Sequence, residues 1–165
     1  MELARTLKHL ATTRWSARGR FPRQVLGEIE RSIREAESQH RGEIRFAVEA
    51  SLDLPQLWRG ATPRQRALQA FSHLGIWDTH ANNGVLIYVL LADRAVEIVA
   101  DRGIAARVAQ TEWDRICGDM QAHFRAGRFA EGSTAGVLRV GQILAEHFPG
   151  GPDGSNELPN RPVML

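Results

Sequence analysis

Cysteine, lysine and tyrosine are nearly absent: the 165 residues include one of each, Cys117, Lys8 and Tyr88. A lone Cys excludes an internal disulfide and a cysteine-rich structural zinc site. A lone Lys, eight residues from the start, leaves the body of the chain no phosphate-loop lysine and no Schiff-base lysine. Long hydrophobic runs are missing too. The longest, residues 85–92, has eight residues, against the roughly twenty that span a bilayer as a helix. The first twenty residues hold charges every few positions and no apolar leader stretch, so the expectation is a cytoplasmic protein. The six histidines never fall in an HExxH-like spacing, which argues against a zinc hydrolase.

What remains is ordinary for one globular domain: 43% hydrophobic and 24% charged residues. The net charge is only +2, and the isoelectric point of 9.3 reflects the very high pKa of arginine. The distribution says more. Residues 1–23 carry Arg5, Lys8, Arg14, Arg18, Arg20 and Arg23 against Glu2, a balance of +5 that leaves −3 for the rest. No basic helix-turn-helix and no aromatic RNA-binding strand accompanies these arginines, so no nucleic-acid partner is expected.

Leu3, Leu7, Leu10 and Ala11 recur at helical spacing among basic residues. Residues 1–20 therefore read as a basic amphipathic arm. It would either lie on an anionic membrane surface or dock its leucines on its own domain or a second copy. Phe21-Pro22 opens the next helix, which carries Val25, Leu26, Ile29, Ile33 and Ala36 and ends by Gly42. Residues 43–51 alternate, Ile44, Phe46 and Val48 against Glu43, Arg45 and Glu49, as in a half-buried strand. Thr62-Pro63 starts a helix that stops at Gly75. Residues 85–92 suit a central strand, and residues 95–100 a second strand returning through a two-residue Asp93-Arg94 turn. Thr111 is the expected cap of a helix bearing Trp113, Ile116, Cys117, Met120 and Phe124, with Cys117 a buried thiol. A last helix covers residues 129–148. The segment 149–165, with four prolines and three glycines, reads as a disordered tail. The order of elements predicts an α/β fold, a three-layer α/β/α sandwich with a small mixed β-sheet. Residues 21–148 form the folded domain.

The segment His80-Ala81-Asn82-Asn83-Gly84, the strand VLIYVLLA, the Asp93-Arg94 turn, Ile98, Gly103 and the run Phe129-Ala130-Glu131-Gly132 together resemble the TPM-domain family, over roughly residues 40–148. Its members are thylakoid-lumen photosystem-repair proteins and their bacterial relatives. The resemblance implies the same α/β/α sandwich and, as in some members, calcium binding and weak acid-phosphatase activity. It also implies a protein partner in membrane-protein maintenance, and the basic N-terminal arm would supply a peripheral link to the inner membrane face. Two positions depart from the family. Asn82 stands where relatives often have Asp, and Ala105 follows Gly103-Ile104 where relatives often have Glu. Each change removes a hard anionic oxygen of the kind calcium or magnesium prefers.

The residues themselves draw attention to the same region. With Asp93-Arg94 as a two-residue turn, Gly84 falls opposite Gly103, which brings Asn82, Asn83, Asp101 and Arg102 to one end of the sheet. Two readings stay open. The region is an ordinary turn with capping residues, or it is a site in which Asn82, Asn83, Gly84, Arg102 and Gly103 bind an anion. In the second reading Asp78, Asp101 and Glu112 supply ligands for calcium or magnesium, and the activity is a weak divalent-metal-dependent phosphatase. A further crevice is expected at the carboxyl ends of the parallel strands, near Glu49, Asp53 and Asp93.

Overall fold

The computed structural model describes residues 2–151 and 156–165, which form a three-layer α/β/α sandwich. Two short helices come first, α1 (Glu2–Ala11) and α2 (Arg14–Arg20), separated by Thr12 and Thr13. Thr13 caps α2, its hydroxyl accepting the Ser16 N–H at 3.3 Å. Helix α3 (Arg23–Glu37) leads into strand β1 (Glu43–Glu49). Helices α4 (Leu54–Trp58) and α5 (Pro63–His73) follow, and both open on a reciprocal capping box, Asp53 with Gln56 and Thr62 with Gln65. Then come β2 (Gly84–Leu90), β3 (Ala95–Ala100), α6 (Arg102–Ala105), α7 (Gln110–Arg125), α8 (Phe129–His147) and β4 (Val163–Met164).

The sheet order is β3-β2-β1-β4. As expected, β1 and β2 run parallel and β3 returns antiparallel to β2. One face, with Ile44, Phe46, Val48, Val85, Ile87 and Ile98, packs under α3, α7 and α8. The other, with Ala47, Leu86, Tyr88 and Val99, packs against α4 and α5.

Four expectations are corrected. Strand β1 is buried at every position, not half-buried. The reason is that its second face is covered by α4, α5 and the chain end, which also covers its free edge, and its polar side chains are paired inside. The tail is the second correction. Residues 156–165 pack on the domain: Leu158 is buried, and β4 adds to β1 in parallel with Ala47 opposite Val163. Residues 152–155 of the expected disordered tail lie outside the described residues. Third, α7 begins at Gln110 after Ala109, with no side-chain cap from Thr111. Fourth, the β2–β3 connection is a four-residue turn, because Leu90 pairs with Ala95. The register therefore slips by two, and Gly84 lies opposite Asp101, whose N–H reaches the Gly84 carbonyl at 2.9 Å.

No helix among the described residues is long and apolar enough to cross a membrane.

Candidate functional site

The amino ends of β1 and β2 gather most of the residues singled out from the sequence. The turn preceding β2 packs on the start of α6. Asp101 caps that helix, its Oδ1 accepting the Arg102 N–H at 2.7 Å. The Gly103 N–H donates to the Asn82 carbonyl at 3.1 Å, and Arg102 Nε donates to Asn82 Oδ1 at 3.0 Å. A Cβ on Gly103 would meet the Asn82 carbonyl oxygen at 2.5 Å, and one on Gly84 would meet the Ile76 carbonyl oxygen at 2.3 Å. Both glycines are thus required by backbone approaching backbone. Asn83 faces the other way. Its N–H donates to Thr79 Oγ1, its Nδ2 donates to the Arg41 carbonyl, and its carbonyl accepts the Glu43 N–H.

Asn82, Asn83, Gly84, Asp101, Arg102 and Gly103 therefore meet. Asp78 is exposed in the preceding turn, and Glu112 sits in the first turn of α7 and pairs with Arg115 at 3.0 Å. Calcium calls for a cage of six or more oxygens, and this donor set falls short of one. The Asn82 side-chain oxygen is taken by the Arg102 guanidinium, and one of the two Asp101 oxygens is taken by a backbone N–H. No group of three or more His, Cys, Asp or Glu side chains suited to a metal gathers among the described residues. Asp101 Oδ2 is buried without a hydrogen-bond partner.

Beside this turn opens a cleft of about 890 Å³, floored by Glu37, His40 and Glu43 and bordered by the tail at Glu157 and Asn160. In the sequence these residues carry no signal beyond that of helix surface and strand. Glu37 Oε1 accepts the Ile44 N–H and Oε2 accepts Asn160 Nδ2. Burial pushes its carboxyl up to about 7 against the hydrogen bond from Ile44. Glu43 takes the successive N–H groups of Glu157 and Leu158, and Arg45 donates to the carbonyls of Pro159 and Arg161. These charges hold the chain end in place. His40 Nδ1 accepts the Gly42 N–H at 3.1 Å, and burial pushes the ring down to about 4.

The acidic residues expected to line a crevice at the carboxyl ends of the parallel strands, Glu49, Asp53 and Asp93, are each engaged within the domain. Arg66 of α5 grips Glu49 through Nε and a terminal nitrogen, and Tyr88 donates its hydroxyl to Glu49 Oε2 at 2.5 Å. Burial and the Glu49 charge push Tyr88 up, so it remains a donor. Asp53 is used as the cap of α4. Asp93 receives Arg5 at 2.7 Å and His9 at 3.0 Å, both from α1. Arg5 also reaches the Ala61 carbonyl, and His9 Nδ1 accepts the Leu52 N–H.

Helix α1 consequently docks by its polar side. This corrects the expectation that its leucines pack on the domain. Leu3, Leu7 and Leu10 face outward at 74%, 58% and 59% exposure, whereas His9 is 2% exposed. The signal in the sequence was the i,i+4 pair Arg5 and His9, which lies opposite the leucine stripe on a helix. Trp15 and Trp58 are also about four-fifths exposed. Trp58 closes α4, whose flanking residues Leu52 and Ala61 are the ones α1 touches.

A mixed four-stranded sheet between two helical layers, with a glycine turn locked onto a capped helix after the hairpin, defines the class as an α/β/α sandwich domain. Within that class, the TPM domain matches residues 18–143, and the chain belongs to the TPM-domain family. Among solved structures it is similar to the BA42 protein of the psychrophilic bacterium Bizionia argentinensis, at 32% identity and a TM-score of 0.74. That match covers 86% of this chain and 93% of the other. It is also similar to the N-terminal domain of a P. gingivalis protein, at 28% identity and a TM-score of 0.57, covering 71% of this chain and 73% of that one. No curated protein matches. Helix α1 and the tail that carries β4 both lie outside the stretch matched by the family.

Proposed function

We propose that this TPM domain is a docking module for an anionic membrane surface, where it meets a protein partner, and that α1 is its contact face. The observation that carries this reading is the outward leucine stripe on a helix clamped by its opposite, polar side. Lys8 on the same helix and Arg14 and Arg18 on α2 are exposed, as are Trp15 and Trp58, side chains suited to the headgroup layer. Each leucine moved out of water contributes about 1.5 kcal/mol. Each basic side chain near an anionic surface adds about 1 kcal/mol. The three leucines and three cations together supply roughly 7 kcal/mol, a micromolar association before ordering costs.

Co-sedimentation tests the reading. The protein should pellet with phosphatidylcholine vesicles that contain phosphatidylglycerol, and less so as salt is raised. The triple variant Leu3→Ser, Leu7→Ser, Leu10→Ser should remain in the supernatant with an unchanged melting temperature. Equal pelleting of the variant, or no pelleting of the parent protein, would overturn the proposal.

One observation favours the weak metal-dependent phosphatase implied by the family, the buried and unpartnered Asp101 Oδ2. Calcium titration followed by NMR tests it. Amide shifts confined to residues 82–84 and 101–103 support a metal there, and their absence removes the phosphatase reading.

A further inference from the structure

Asp93 and Arg94 lie side by side in the β2–β3 turn, but Asp93 is held by α1 whereas Arg94 lines a cavity of about 470 Å³ between that turn, the end of α7 and the start of α8. This volume is within the range of small-ligand sites. The wall is apolar: Leu91, Phe124 and Phe129, with the two rings stacked at 5.1 Å and 19°. Arg20, Arg94 and Arg125 complete it, and none of the described residues lining it is Asp or Glu. Some arginines elsewhere on the domain are matched to acids, such as Arg66 to Glu49 and Arg64 to Glu97. No described carboxylate pairs with these three.

The backbone at Arg94 adds a second, independent observation. Its φ is +53°, in the left-handed region that side chains disfavour and glycine adopts freely. The bond that closes the turn, from the Arg94 N–H to the Leu91 carbonyl at 3.1 Å, would form equally well with glycine. The turn therefore does not ask for arginine, and the side chain is retained at a cost in backbone strain.

Three exposed guanidinium groups border the hollow, and an anion bound there would take charge-assisted hydrogen bonds from them. The leucine and the stacked rings select for hydrocarbon. We infer that the cavity binds an anionic amphiphile, a phosphate or carboxylate head on a single hydrocarbon chain. The head would meet Arg94, Arg20 and Arg125, and the chain would lie along Leu91, Phe124 and Phe129. The inference does not rest on the membrane-docking role of α1.

NMR titration of the full chain with octyl phosphate tests it. Saturable shifts are expected at Leu91, Ala95 and Gly127, with inorganic phosphate and octanol each at least about tenfold weaker. Arg94→Gly should weaken octyl phosphate about tenfold while the melting temperature holds or rises, and Arg125→Gln should weaken it in an otherwise unchanged spectrum. Inorganic phosphate binding as tightly as octyl phosphate would reduce the site to an anion patch and overturn the inference. So would equal binding of octanol, or an Arg94→Gly variant of unaltered affinity and intact fold. Vesicles carrying lysophosphatidate separate the two sources of such a ligand. Shifts at the same residues mean that the amphiphile is drawn from a bilayer, and shifts with dissolved octyl phosphate alone mean a soluble one; both support the site. The triple leucine variant should bind octyl phosphate like the parent, which separates this site from vesicle docking.

Discussion

His9 Nε2 lies 3.0 Å from Asp93 Oδ1, and the other ring nitrogen, Nδ1, accepts the Leu52 N–H at 2.9 Å. The second contact fixes the tautomer: Nδ1 is the acceptor, so Nε2 carries the hydrogen and donates it to Asp93. One buried imidazole thereby ties α1 to the β2–β3 turn and to the strand of chain before α4. Replacing His9 by Ala leaves the buried Leu52 N–H without its partner and Asp93 Oδ1 with Arg5 Nε alone, at a cost of about 1–3 kcal/mol. Hydrogen exchange should show α1 opening in His9→Ala while amides of β1 and β2 stay protected. Equal protection of α1 in both proteins would mean that Arg5 alone suffices.

The same clamp is sensitive to acid. Burial by itself would raise the Asp93 carboxyl, but the hydrogen bonds from Arg5 and His9 and the charge of Arg5 outweigh it and hold the group below its usual value. A depressed carboxylate stabilises the folded protein above its unfolded pKa, and that stabilisation is lost as pH falls through the folded value. Detachment of α1 should therefore precede loss of the core on acidification below about pH 4. Exchange rates of α1 amides against those of α8 measure it, and simultaneous loss of both would contradict the prediction.

Glu37 and His40 give opposite pH dependences over an overlapping window. Glu37, raised to about 7, keeps its proton in the folded protein while the unfolded chain loses it near 4.5. Stability therefore falls as pH rises from about 4.5 to 7, by roughly 3 kcal/mol at most. His40, lowered to about 4, stays neutral in the fold while the unfolded chain gains a proton near 6.5. Stability therefore falls as pH drops from about 6.5 to 4. Urea midpoints of Glu37→Gln should decline toward acid across this window, and those of His40→Asn should climb. The parent protein should be flatter than either.

Glycine substitutions separate backbone demands from open space. Gly103→Ala places a Cβ 2.5 Å from a backbone carbonyl and should cost about 1–3 kcal/mol. Gly118, within α7, has nothing within 4 Å of an added Cβ, so Gly118→Ala should stabilise by up to about 1 kcal/mol. Thermal melts of the pair, moving in opposite directions, check both.

Much of the layout was legible in the chain. The run at residues 85–92 reads as a central strand because hydrophobicity on both faces is local information, and β2 is buried throughout. Thr62-Pro63 reads as a helix start because capping chemistry acts within four residues, and its capping box forms. The convergence of Asn82 with Arg102 and Gly103 was legible too, although the assumed two-residue turn put the strands two residues out of register. A turn type is set by one residue, Arg94, in an unexpected region of backbone space.

The sequence by itself determined the α/β/α order, the parallel and antiparallel pairings and the family, since these follow from periodicity, capping and motif spacing along the chain. Only the tertiary structure decided which face of α1 is bound and what Glu37, Glu43 and Arg45 do. It also decided that residues 156–165 belong to the sheet. An amphipathic pattern shows that a helix has two faces, but the partner chooses between them. Here the partner is Asp93, 84 residues from His9, a half-buried carboxylate that takes Arg5 and His9 from the polar face and leaves the leucines outward.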